Sequence, residues 1–144
     1  MVIVARHATK RRGQRGSALV ELAITLMGFL LLTFGVIDFG MAVYASSTCV
    51  STAEDAARWA SVNGSQSLTP ATSDSVTAYV KNSATSLDPA IDPSQLNVNT
   101  TWTPNNSPGS TVQVTVSYTF NPLSYVAMRQ SINLSGTAQY PINH

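Results

Sequence analysis

From Ser17 to Ile37 the chain reads SALVELAITLMGFLLLTFGVI, twenty-one residues carrying one charge, Glu21. A helix of that length rises about 30 Å, the thickness of a bilayer's hydrocarbon core. The remainder of a 144-residue chain holds too little apolar material to surround such a helix, so burial in a soluble core is the poorer account. The segment is therefore expected to cross a membrane. Arg11, Arg12 and Arg15 stand directly before it, and the positive-inside rule then puts the amino terminus in the cytoplasm. The chain beyond the helix is expected on the far side.

Charge is partitioned along the chain in the same sense. Five of the eight basic residues fall before residue 17, where no acidic residue occurs; from Ser17 onward three basic residues face seven acidic ones. The formal charge of +1 is thus the sum of a basic leader, residues 1–16, and a mildly acidic remainder. A nucleic-acid-binding domain needs a basic patch, and this remainder offers none. Cationic residues of the leader can still meet anionic lipid headgroups. The single cysteine, Cys49, excludes an intramolecular disulfide.

Beyond the apolar run the helix is expected to continue to about residue 63. Asp38 to Val62 has no proline, and Phe39, Val43, Val50, Ala53, Ala57 and Ala60 recur at helical spacing with Trp59 beside them. Asn63-Gly64-Ser65 is a stop signal. A Ser/Thr/Pro linker leads to a short helix, Asp74 to Leu87, capped by Thr72 or Ser73 and ended by Asp88-Pro89 and Asp92-Pro93. Three alternating segments then read as strands: Leu96 to Trp102, Val112 to Phe120 and Ile132 to Tyr140, with Pro104 to Gly109 as a hairpin loop. Pro122 to Gln130 has room for a helical turn. The expected fold is α+β: a long transmembrane helix continuing outside the membrane, a short helix, and a small three-stranded antiparallel sheet covered by the external helices. In segments, these are the leader 1–16, the helix 17–63, a linker with short helix 64–94, and the β-domain 95–144.

Chemistry concentrates at Arg11 to Leu22, RRGQRGSALVEL. An isolated carboxylate in a membrane helix costs roughly 2.5–3.5 kcal/mol on insertion scales, which makes Glu21 a functional residue by default. Its place within a turn or so of the helix start also allows it to reach the headgroups. Gly16 to Glu21, at the border of a basic leader and an apolar helix, resembles the prepilin cleavage signal of type IV pilin-like proteins. The resemblance implies a cut between Gly16 and Ser17 by a membrane-embedded prepilin peptidase on the cytoplasmic side, with Glu21 at the matching glutamate. Glycine suits a peptidase that must approach an extended backbone.

Three further stretches, Ala18 to Ala23, Ile37-Asp38-Phe39-Gly40 and Ala53 to Ala60, resemble the successive signatures of TadE-like pseudopilins of the tight-adherence, or Flp-type, pilus systems. The specific motifs occupy residues 16–60. Many relatives have a proline where this chain has Met27-Gly28. Major pilins follow the glutamate with an aromatic residue, whereas here Leu22 follows it. That departure, with the long carboxyl-terminal domain, implies a minor pseudopilin. Membership implies an inner-membrane, single-pass protein whose partners are the prepilin peptidase, other pilins or pseudopilins through the helix, and membrane lipid.

No catalytic motif accompanies these features. Asp38-Phe39-Gly40 spells a kinase metal-binding triplet, but no glycine-rich or catalytic loop goes with it. His7 and His144, with one cysteine, give no metal-ligand spacing. No cofactor is expected, and Cys49 reads as a small packing residue. The competing reading is a secreted binding domain cut by signal peptidase after Ala45, where Val43-Tyr44-Ala45 precedes Ser46. Against it stands an apolar run of twenty-one residues, where a signal peptide has about 7–15.

Overall fold

The computed structural model describes residues 12–87, 91–122 and 130–143, the side chains of 12–15 aside. The elements run α1 (Arg12–Val62), α2 (Ser73–Leu87), a single 3-10 turn (Pro93–Gln95), β1 (Leu96–Thr103), β2 (Thr111–Phe120) and β3 (Ile132–Pro141). The fold is α+β, as expected. The chain divides into two compact units, Met1–Ile37 and Asp38–His144.

The first unit holds the apolar part of α1. From Gly16 onward this helix is long and apolar enough to cross a membrane, and its most apolar stretch is wholly unburied. Thr25 and Thr33 turn their hydroxyls back to the carbonyls of Glu21 (2.9 Å) and Phe29 (2.8 Å). Their polar groups are thereby satisfied inside the helix, as an apolar solvent demands. The structure corrects one expectation. The helix begins at Arg12, inside the basic leader and ahead of the expected start at residue 17, because no proline stands between Arg12 and Ser17. Gly13 and Gly16 weaken it, each by about 1 kcal/mol relative to alanine.

The second unit is a two-layer sandwich of helices on a sheet. The strands lie in the order β1-β2-β3, antiparallel throughout, with an unbroken register. Rows across the inner face are Trp102–Val112–Tyr140, Thr100–Val114–Ala138, Val98–Val116–Gly136 and Leu96–Tyr118–Leu134. Val112, Val114 and Val116 are fully buried. Each such side chain contributes roughly 1.5–3 kcal/mol through the area it removes from water. Apart from Pro141 at the end of β3, the opposite face carries uncharged polar residues, among them Asn97, Asn99, Gln113, Thr115, Ser135 and Thr137.

The carboxyl-terminal half of α1 and all of α2 cover the inner face as an antiparallel pair. The Tyr44 hydroxyl donates to the Leu87 carbonyl (3.2 Å), while Trp59 stacks on Tyr79 with ring centroids 5.3 Å apart. Those two contacts set the helices in opposite directions. α2 buries Val76, Val80 and Ala84 and touches β1. Its start is fixed by Thr72, whose Oγ1 accepts from the Ser75 amide (3.2 Å) while Ser75 Oγ accepts from the Thr72 amide (2.9 Å). This is a reciprocal capping box with serine at the third helical position. Asp74 in the first turn suits the positive end of the helix dipole.

The buried stripe of α1 differs from the one the sequence spacing predicts. Ala53, Ala57 and Ala60 are buried, but Phe39, Val43 and Val50 are exposed, Phe39 by 71%. Their places are taken by Ala45, Cys49 and Ala56. Closeness is the cause: a Cβ added to Gly136 would lie 2.5 Å from the Val50 amide nitrogen and 2.6 Å from the Cys49 carbonyl carbon. With backbone this near backbone, only small side chains fit between helix and strand. The larger ones are left on the other flanks.

α1 ends where Asn63 folds back, its amide (3.2 Å) and its Nδ2 (2.8 Å) both donating to the Trp59 carbonyl. The next loop is tied down by its backbone. Ala71 N donates to Asn63 O (2.7 Å), Ser65 N to Asn106 O (2.7 Å), and Asn106 Nδ2 to Ala71 O (3.1 Å). The expected hairpin loop at 104–109 is present, with a cis peptide before Pro104 and Gly109 at φ 88°, a conformation that favours glycine. The expectations for Asp88-Pro89 and for a helical turn between Pro122 and Gln130 fall outside the described residues. Asp92-Pro93 opens the 3-10 turn rather than ending α2, which stops at Leu87: Asp92 Oδ1 caps that turn by accepting from the Ser94 amide (2.9 Å), which lowers the Asp92 pKa.

Candidate processing and assembly segment

Gly16, Ser17 and Glu21 all lie on α1 and are exposed. Helical geometry puts Ser17 and Glu21 one turn apart on one side. Gly16, Ser17, Val20, Glu21, Ile24 and Thr25 line a shallow open groove along that side, so the three residues singled out from sequence share one surface. The groove has one polar rim and one apolar rim. It offers a carboxylate beside a hydroxyl. Among the described residues no three His, Cys, Asp or Glu side chains come together as a metal site.

Gly16 is helical here, whereas a peptidase needs extended chain. The two are reconciled by energetics, since a glycine near a helix end is the cheapest place to unwind it. No neighbouring group stands within 4 Å of where a Gly16 Cβ would be, so no packing holds that turn in place.

Two features that sequence reasoning did not reach join α1 to the sheet. Arg58 donates through Nη2 to the Tyr140 hydroxyl (3.4 Å), and its guanidinium lies 5.7 Å from the centre of that ring. Asn143 N donates to Ser61 O (3.1 Å). With the Gly136 contact at Cys49 and Val50, these pairings advance together along both elements, so α1 and β3 run side by side in one direction. Only the glycine inside an otherwise alternating strand hinted at this in the sequence. Cys49 is buried at the tightest point, and burial pushes its thiol pKa up. It is the packing residue that the sequence suggests.

Residues 16–58 match the family model of TadE-like proteins. Over that stretch the chain is similar to the TadE-like family. The match begins at Gly16, ends at Arg58 and lies entirely on α1, so the TadE-like segment holds both the apolar run and the small-residue stripe that docks on the sheet. No curated protein and no solved structure matches the chain. The TadE-like family is associated with assembly of Tad pili. The sheet lies outside the matched segment.

Proposed function

We propose that this TadE-like chain is a minor pseudopilin: a non-catalytic structural component of a Tad, or Flp-type, pilus. It is held in the bacterial inner membrane by α1, with its sheet domain outside the cytoplasm, and a prepilin peptidase cuts it between Gly16 and Ser17. The observation that carries this reading is the family match on residues 16–58, which starts at the glycine of the proposed cleavage signal. Assembly then works by packing. Apolar stretches of α1 from several subunits bury against one another. The amine freed at Ser17 neutralises Glu21 of a neighbour, which offsets the cost of holding a carboxylate in an apolar setting. Prepilin peptidase, other pilins and lipid are its partners, and nucleic acid is not.

The amino-terminal sequence of the mature protein tests the reading. It should begin at Ser17, and Gly16→Leu should leave only the full-length form on a gel. Normal processing of that variant would remove the assignment. A mature chain beginning at Ser46 would instead favour release after Ala45. Two contacts speak against that cut, since Ala45 is buried and Tyr44, before the cut, is bonded to the end of α2.

A further inference from the structure

A three-stranded sheet has two edges, and among the described residues no further strand pairs with either. The Leu96 amide closes the 3-10 turn on the Pro93 carbonyl. Among the described residues no other backbone hydrogen bond reaches β1 or β3 from outside the sheet. Natural edges are blunted by lysines, internal prolines, bulges or very short strands. β1 and β3 use none of these devices. They are 8 and 10 residues long, carry no charged residue, keep an unbroken register, and have their nearest prolines at the very end of β3 and just beyond β1. Such edges are templates for another strand.

We infer that copies of this chain join edge to edge, β1 of one copy pairing in parallel with β3 of the next. A second copy meets no charge repulsion, because β1, β2 and β3 have no ionisable side chain except Tyr118 and Tyr140. Direction selects the edges. Antiparallel pairing of like edges, β3 with β3 or β1 with β1, needs a two-fold axis normal to the sheet, which reverses every direction lying in its plane. From Asp38 onward α1 runs parallel to that plane over the inner face of β3, so the Asp38 ends of the two copies would face opposite sides, whereas one membrane needs both on the same side. β1 and β3 of one sheet both oppose β2 and therefore run parallel to each other. Joining unlike edges keeps the Asp38 end of every copy on one side. The contact is head-to-tail and leaves a free edge at each end, so it propagates. The helix layer continues with it, since α2 lies over β1 and α1 beside β3. The choice of edges rests on the membrane-anchor reading of α1.

Oxidative crosslinking of the full chain in its native membranes tests this. One cysteine is placed on β1 (Asn99→Cys) and one on β3 (Ser135→Cys, Thr137→Cys or Gln139→Cys, in separate variants to sample the register). All four positions are exposed. Cys49 is buried and present throughout, so it sets only the background. Chains with a cysteine on both edges should give a ladder of dimers, trimers and larger species in at least one pairing, and single-edge variants should give none above background. Adding Asn97→Lys and Ser135→Lys to a laddering variant that leaves position 135 free should abolish the ladder without changing helix content. Dimers from a single-edge variant would show like edges meeting and overturn the inference. Absence of any crosslink in all three pairings, with the chain in the membrane fraction, would overturn it too. Recovery of the chain in the soluble fraction would sink the anchor reading instead, and the crosslink pattern would still report which edges meet.

Discussion

Single residues decide two separate things in this chain, how tightly its layers close and how it is recognised. Gly136 governs the first. Alanine there would drive its Cβ into the backbone of Cys49 and Val50 at 2.5–2.6 Å, and backbone cannot step aside as a side chain can. Gly136→Ala is therefore expected to destabilise the sheet domain by roughly 1–3 kcal/mol, the usual range for overpacking. A lowered unfolding midpoint for the full chain in detergent checks it; an unchanged midpoint would mean helix and strand are not this close. On the proposed reading Glu21 governs the second. Glu21→Gln keeps shape and hydrogen-bonding capacity and removes the charge. If that charge meets the Ser17 amine of another subunit, the variant should insert and be cut normally yet lose pili or co-purifying pilins, with Glu21→Ala at least as severe. A glutamate that only reaches headgroups predicts the opposite: wild-type piliation by both variants at matched protein levels.

Among the elements, α2 depends most visibly on a local device. Its 15 residues are near the length at which an isolated helix is marginal, so its cap and its packing both count. Removing the Thr72 hydroxyl breaks one arm of the capping box, and Thr72→Ala should cost about 1 kcal/mol, while Thr72→Ser should cost little. Denaturant midpoints of the two variants against the parent would decide it, equal losses speaking against the cap. The strands are legible from sequence because period-two alternation survives in every row, down to Gly136 and Ala138 on the inner face. The end of α1 is legible because Asn63-Gly64 halts a helix chemically. The buried stripe of α1 is not. Phe39, Val43 and Val50 have the right spacing, but which flank of an alanine-rich helix is covered depends on how near the sheet comes, a distance fixed by a residue eighty-six positions after Val50. The start of the helix is hidden for a related reason, since basic residues tolerate a helix as readily as a coil. At the candidate site, Gly16, Ser17 and Glu21 are all legible as a motif, and the single groove they share follows from helical periodicity alone.

For the whole molecule, charge asymmetry around the apolar run sets the expected topology. A reporter active only outside the cytoplasm, fused after His144, should be active; a stable but silent fusion would reverse the orientation. The way α1 lies beside β3 also has a mechanical side. The contacts Val50–Gly136, Arg58–Tyr140 and Ser61–Asn143 are strung out along two elements that run in the same direction. Tension applied at Asp38 along the axis of the α1 segment that follows it loads that seam in shear, so its contacts bear the force together. Pulled across the axis, the same contacts would open one after another. The sheet domain therefore resists a pull along this part of α1 better than a pull across it.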